Sequence, residues 1–241
     1  MPDSNLPERS TNLRPVHVLL FDIDGTLIHA GGAGRGALLA ALGAEFAITE
    51  PRLDVDFAGR TDRSIASDAL LQNGLAAEEA TFARYLASYL RHLPESLSSQ
   101  RGRVLPGVTE LLAALAARKD VILGVLTGNF ERAAAMKLAH YGLDAYFPLG
   151  GYGDLHFDRD DVAREAHRAV RFHCGEEHAS AQIWVIGDTP LDVRCARAIG
   201  ARAIAVGSGF ATREELAAAE PDHLFEDLTD LRAFLALLDA P

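Results

Sequence analysis

Asp22 and Asp24, two carboxylates with only Ile23 between them, follow the apolar run HVLLF (17–21) and precede Gly25 and Thr26. Thr127-Gly128-Asn129 follow VILGVL (121–126). Asp188 and Thr189 follow QIWVIG (182–187), with Asp192 four residues beyond Asp188. Each group stands where an apolar run ends, not scattered along a helix surface. Carboxylates gathered in this way repel: two unit charges 4 Å apart cost roughly 4 kcal/mol at an effective dielectric of 20. A hard divalent cation offsets that cost, and Mg²⁺ accepts one or two carboxylates together with waters and phosphate oxygens. The Thr127 hydroxyl and the amides around Gly128 and Asn129 suit phosphate oxygens, and the N-terminus of a following helix adds partial positive charge. A carboxylate can also act as a nucleophile that takes up a phosphoryl group. The competing structural reading of Asp188 and Asp192 is a helix cap and a first-turn acid.

The elements that must position these residues are legible as alternating runs. VHVLLF (16–21), VILGVL (121–126), QIWVIG (182–187), ARAIAV (201–206) and the weaker HLF (223–225) read as strands, apolar nearly throughout as in sheets covered on both faces. Between them VTELLAALAAR (108–118), ERAAAMKLAHYG (131–142), VAREAHRAVRF (162–172) and LDVRCARAIG (191–200) carry apolar stripes at helical spacing. The alternation predicts an α/β fold, a Rossmann-like doubly wound parallel sheet in which ligands bind beyond the carboxyl ends of the strands. Residues 33–100 break the rhythm with helical patterns only, GALLAALGAEFA, TDRSIASDALLQNG and EEATFARYLASYLRHL. They predict a small helical insert over 31–101, hinged at HAGGAGRG (29–36) and SLSSQRGRVLPG (96–107). The α/β core is then 14–30 and 102–241, and residues 1–13 form a loose tail.

The chain has 241 residues, 49% of them hydrophobic and 24% charged, as in an ordinary globular protein. A formal net charge of −11 disfavours a nucleic-acid partner but leaves room for a small anionic substrate held by a local cation. Two cysteines in unrelated surroundings, Cys174 and Cys195, fit a reducing cytoplasm. The polar start lacks a signal core, and no run is long enough to span a membrane.

Asp22-Ile23-Asp24-Gly25-Thr26, the LTGN containing Thr127, and Gly187-Asp188-Thr189-Pro190-Leu191-Asp192 resemble, in order and spacing, the DxDGT, Thr/Ser and GDxxxD motifs of the haloacid dehalogenase-like hydrolases. The overall pattern looks most like the phosphoglycolate-phosphatase branch, and the insert is similar to that family's helical C1 cap. The resemblance implies a Mg²⁺-dependent phosphatase acting on a small phosphorylated metabolite. In it Asp22 attacks phosphorus and Asp24 protonates the leaving oxygen, then activates water. Mg²⁺ sits between Asp22, the main-chain carbonyl of Asp24, and Asp188. Thr127 holds a phosphate oxygen, and Asp192 either approaches the metal through water or, the favoured role, orients its neighbours.

One departure from the family stands out. The family's third motif is usually a Lys followed by Pro, and no such pair occurs; Lys119 and Lys137 are the only lysines. Arg159 in GDLHFDRDDVAREA occupies the corresponding place, and its planar fork could meet Asp22 and phosphate. Lys137 is the rival, although ten residues after Thr127 on a helix it is expected to lie well away from the site. In the stretch AGRTDRSI (58–65), Arg60 and Arg63 either meet an anionic substrate or are solvated beside a helix capped by Thr61. HAGGAGRGA reads as hinge in preference to a dinucleotide fingerprint. Cys195 and Trp184 read as core, and His167, His173 and His178 as decoration of a helix and the loop after it. Within the family a phosphomutase or phosphonatase stays open. Outside it stand a phospho-accepting receiver, which turns over at most once, and a degenerate phosphate-binding protein.

Overall fold

The computed structural model describes residues 17–175 and 181–239, so the 1–13 tail, the core residues 14–16 and His178 lie outside the described residues. The chain begins with β1 (His17–Phe21) and β2 (Ile28–His29), then three helices, α1 (Ala33–Phe46), α2 (Asp62–Gln72) and α3 (Glu79–Ser99). Next come β3 (Arg103–Val104), α4 (Val108–Ala116), β4 (Val121–Leu126), α5 (Glu131–His140) and β5 (Gly150–Gly151). The last part is α6 (Arg159–Cys174), β6 (Gln182–Gly187), α7 (Pro190–Ala198), β7 (Arg202–Val206), α8 (Arg213–Ala218), β8 (His223–Phe225) and α9 (Leu231–Asp239).

Six strands pair in parallel in the order β5-β4-β1-β6-β7-β8. Side chains alternate across a strand, so each strand feeds two cores. Leu19, Phe21, Leu123, Val125, Trp184 and Ile186 pack with α4, α5 and α9 on one face. Val18, Leu20, Val185, Ala203 and Ala205 pack with α6, α7 and α8 on the other. This is the predicted doubly wound arrangement, with Trp184 and Cys195 buried in it. From central β1 the order runs outward to β4 on one side and β6 on the other, which opens a crevice beyond its carboxyl end.

The insert has its own core. Leu38, Leu42, Ile65, Leu70, Phe82, Tyr85 and Leu93 form a cluster that reaches the rest of the chain through Phe130 and Ala133, at the start of α5. The two crossings into it differ from the loose hinges expected. β2 and β3 pair as a two-rung antiparallel ribbon, Ile28 with Val104 and His29 with Arg103, and α1 already begins at Ala33. At the other crossing α3 runs through Pro94 to Ser99. An interior proline costs about 3 kcal/mol. Burying Leu93 and Leu97 on either side of it returns roughly 2 kcal/mol each, so packing prevails. Among the described residues no helix is long and apolar enough to cross a membrane.

Candidate active site

β1 ends in a tight turn. The Ile23 carbonyl accepts the amides of Leu27 and Ile28, and Gly25 N donates to Ile28 O at 2.8 Å. Gly25 sits at φ +91°, and a Cβ there would stand 2.3 Å from an Asp188 carboxylate oxygen, so this position demands glycine. The turn thus brings the DIDGT stretch against the end of β6, where Thr26 Oγ1 donates to Asp188 Oδ1 at 3.1 Å.

On this sheet side of the crevice three buried carboxylates converge. Asp22, Asp188 and Asp192 each offer an oxygen, all within 4.8 Å of one another. Asp192 Oδ2 accepts the Thr189 amide at 3.0 Å and its hydroxyl at 2.7 Å, so it does help to cap α7. Its Oδ1 meanwhile accepts Arg159 Nη2 at 2.5 Å. Asp192 is therefore both cap and site residue. Arg159 Nη1 lies 3.6 Å from Asp22 Oδ1, which is buried and has no hydrogen-bond partner among the described residues. Burial pushes the Asp22 carboxyl up to about 7, with Arg159 opposing and Asp192 and Asp24 adding to the shift. Burial and the charges of Asp192 and Asp22 push Asp188 well above the usual carboxylate range. Burial alone would lower Arg159, but the charges of Asp22 and Asp192 outweigh it and keep the guanidinium protonated. A trio of oxygen donors, one without a partner, fits a hard divalent cation, and this buried cluster could hold one.

On the opposite, insert side the residues come from helices and loops. Asn129 Nδ2 donates to Asp24 Oδ2 at 2.9 Å and to Thr127 Oγ1 at 2.8 Å. Lys137 Nζ donates to Asp24 Oδ2 and to Asn129 Oδ1, both at 2.5 Å. The expectation that Lys137 lies away from the site is therefore corrected. Ala134 and Leu138 turn α5 toward the sheet core and Ala133 turns it toward the insert, which leaves Lys137 buried in the seam with its long stem reaching Asp24. Burial alone would lower Lys137, yet Asp24 and Asp62 outweigh it, so its pKa is raised.

The insert meets the core at the same place. Asp62 N donates to Gly128 O at 2.7 Å, and Asp62 Oδ2 accepts the Phe130 amide at 3.0 Å, satisfying a free donor where α5 begins. A Cβ on Gly128 would stand 2.0 Å from the Arg60 carbonyl, so only glycine admits the insert this closely. Burial pushes Asp62 up to about 6, with Lys137 opposing.

A cavity of about 270 Å³ opens between the two sides, lined by Asp22, Asp24, Asn129, Lys137 and Arg159 from the core and by Leu38, Phe57, Asp62 and Tyr89 from the insert. Gly128 lines it too, whereas Thr127 is fully buried behind Asn129. Arg60 reaches the wall, but its guanidinium pairs with Asp68 at 2.6 Å. Arg63 is not on the wall. It bonds the Asp154 carbonyl and Glu79 and lies over the Phe82 ring, so of the two expected places it takes neither the substrate nor free solvent. Thr61 does cap α2, accepting Ser64 N at 3.2 Å. Residues the motifs did not point to are Asp62, Arg35 and Phe210, the last donating its amide to Asp188 Oδ2 at 2.7 Å. The sequence signal for Asp62 is the AGRTD stretch itself, where the arginines and the Thr61 cap draw the attention and Asp62 does not.

A family model described as haloacid dehalogenase-like hydrolase matches residues 19–197. A phosphoglycolate phosphatase of Rhodospirillum rubrum is 30% identical over 227 residues, covering 90% of each chain. A 5'-nucleotidase of Pseudomonas aeruginosa is 29% identical, covering 90% of this chain and 94% of its own. Among solved structures, CbbY from Rhodobacter sphaeroides in complex with phosphate superposes with a TM-score of 0.69 at 21% identity, over 90% of this chain and 96% of that one.

Proposed function

The chain belongs to the haloacid dehalogenase-like hydrolase family, and on that premise we propose that it is a Mg²⁺-dependent phosphatase of a small phosphorylated metabolite, phosphoglycolate-like in class. The observation that carries this reading is the Asp22 oxygen that is buried, unpartnered and 3.6 Å from Arg159. A structural carboxylate would have its hydrogen bonds satisfied. One kept free beside a cation is poised to attack.

The chemistry divides along the cavity. Asp22 attacks phosphorus as the bond to the leaving oxygen breaks, giving an aspartyl-phosphate, and Asp24 delivers its proton to that oxygen. Asp24 then takes a proton from water as the water attacks phosphorus, releasing phosphate and regenerating Asp22. Arg159 pairs with Asp22 and faces the transferring group, the role the family usually gives to a lysine. Gly128 and Asn129, which line the cavity, supply donors to phosphate oxygens, with Thr127 bonded to Asn129 from behind instead of holding phosphate itself, and Asp192 holds Arg159 in place. Mg²⁺ would be held by Asp22, the Asp24 carbonyl and Asp188, where it neutralises the gathered carboxylates and polarises a phosphate oxygen. The insert serves as a cap over residues 31–101, excluding water from the site. The free thiols of Cys174 and Cys195 suit a cytoplasmic enzyme.

The test is sustained turnover of p-nitrophenyl phosphate with Mg²⁺, followed by a panel of phosphorylated metabolites, with Asp22→Asn as the blank. Many turnovers per chain, abolished in the variant, support the phosphatase. One equivalent of bound phosphate and no further release would instead favour a phospho-accepting receiver.

A further inference from the structure

The site holds two buried cations, and the reading above uses only Arg159. Lys137 is 4% exposed and occupies a core position of α5 where its neighbours are Ala133, Ala134 and Leu138. Burying an ammonium in place of an apolar side chain is costly unless it is fully paired. An ammonium has three donors. Here two are placed, on Asp24 Oδ2 and Asn129 Oδ1, and the charge of Asp62 bears on the same group. Gly34 of α1 stands beside it, where a Cβ would come to 3.9 Å from Lys137 Nζ, an ordinary contact.

All of this converges on one oxygen. Asp24 Oδ2 accepts both Lys137 and Asn129, while Asp24 Oδ1 has no hydrogen bond among the described residues, and the side chain remains partly open to the cavity. A carboxylate tied at one oxygen by two donors has its plane set, and the other oxygen is then presented in a fixed direction. Arg159 cannot do this, because its guanidinium is engaged by Asp192 and Asp22 on the sheet side.

We infer that Lys137 is a positioning residue for Asp24, holding Oδ2 so that Oδ1 faces the leaving oxygen of the substrate. The two cations thus divide the work, Arg159 serving the transferring phosphoryl group and Lys137 the group that departs. The inference rests on Asp24 being the leaving-group acid. It differs from a general electrostatic role in one measurable way. An alkoxide cannot leave without a proton, whereas p-nitrophenolate is a weak base that departs unaided, so only the first kind of substrate needs Asp24 in position.

The experiment compares kcat/KM, which covers the steps through departure of the leaving group, for an alkyl phosphate and for p-nitrophenyl phosphate in the wild type and in Lys137→Met. Wild-type turnover of the aryl substrate with an Asp22→Asn blank tests the phosphatase reading on its own. The ratio between substrates tests the inference. Lys137→Met lowers kcat/KM for the alkyl phosphate by about 100-fold and for the aryl phosphate by no more than about threefold. In an Asp24→Asn background the same change has no further effect on the alkyl substrate, since the lysine acts through that carboxyl. Equal losses on both substrates, no loss on either, or an additive loss in the Asp24→Asn background would each overturn the inference. Should Lys137→Met not fold, Lys137→Leu carries the same prediction, because it too leaves Asp24 Oδ2 without the lysine donor.

Discussion

The two sides of the cavity are built by different means. The sheet side gathers Asp22 and Asp188 from just beyond strand ends and Asp192 from the first turn of α7, and its cation, Arg159, opens α6. The insert side gathers Asp24, Asn129, Lys137 and Asp62 from a turn, a loop, the last turn of α5 and the first turn of α2. On the first side a charge is placed by where a strand stops, so position in the chain dictates position in space. On the second it is placed by how helices pack, and a residue far along α5 reaches the same carboxylate pair. One side is crowded with negative charge that a cation relieves, while the other already pairs its acids with a lysine. The first is built to receive a metal and a phosphoryl group, the second to hold fixed geometry around what leaves.

The sharpest way to break the contrast is at its centre. Asp22→Asn removes the nucleophile and one charge from the crowded side, so turnover falls by about 10⁴-fold or more in a phosphatase assay. The melting temperature rises or holds in the same variant, because a buried charge that burial penalises is gone. Arg159 comes next. Arg159→Met leaves Asp22 and Asp192 buried without their cation, costing about 3–5 kcal/mol by denaturant unfolding. Arg159→Lys restores the charge without the fork, so it recovers stability more fully than activity.

Metal should distinguish the sides by stability as well as rate. Mg²⁺ at about 100 times its dissociation constant raises unfolding free energy by about 2.7 kcal/mol, read as a thermal shift that chelation reverses. Asp188→Asn abolishes the shift, while Asp62→Asn leaves it intact. A shift that survives in Asp188→Asn would place the metal somewhere other than the acid cluster.

Legibility in the sequence follows the same division. Asp22, Asp24, Asp188 and Asp192 stand out because each follows an apolar run by a fixed short spacing. Five strands of the sheet are readable for the same reason. β5 is not, since Gly150 and Gly151 carry no apolar pattern and owe their pairing to Val125 and Leu126 alongside. Arg159 is legible through the family resemblance, as the cation that opens the helix between the Thr127 and Asp188 strand ends, and it lies 3.6 Å from Asp22. Lys137 is not legible in this way. Rise along a helix predicts where its Cα lies, but not that α5 is wedged between two cores with its stem lying in the seam. Asp62 is hidden for a related reason: a first-turn acid looks like a helix-dipole partner until the turn is seen docked against Gly128 and Phe130.

Asp62 offers the finest test of the contrast, through pH. Its carboxyl is raised by burial to about 6 in the folded chain, against an ordinary value of 3.8. A raised acid binds its proton more tightly folded than unfolded, so its contribution to stability is fully present below about pH 4. That contribution is lost as pH rises through the folded value. Asp62→Asn cannot titrate and keeps an acceptor for the Phe130 amide. The stability of the variant relative to the wild type therefore increases between about pH 4 and about pH 7, by up to about 3 kcal/mol, and is level above that window. The change is measured by denaturant unfolding with chelator present, so that the acid cluster is free of metal in both proteins and its own titration cancels in the difference. A difference that does not move with pH would mean that Lys137 already compensates the Asp62 charge in full. The insert side would then be one closed ion network instead of a carboxylate that gives way when protons are scarce.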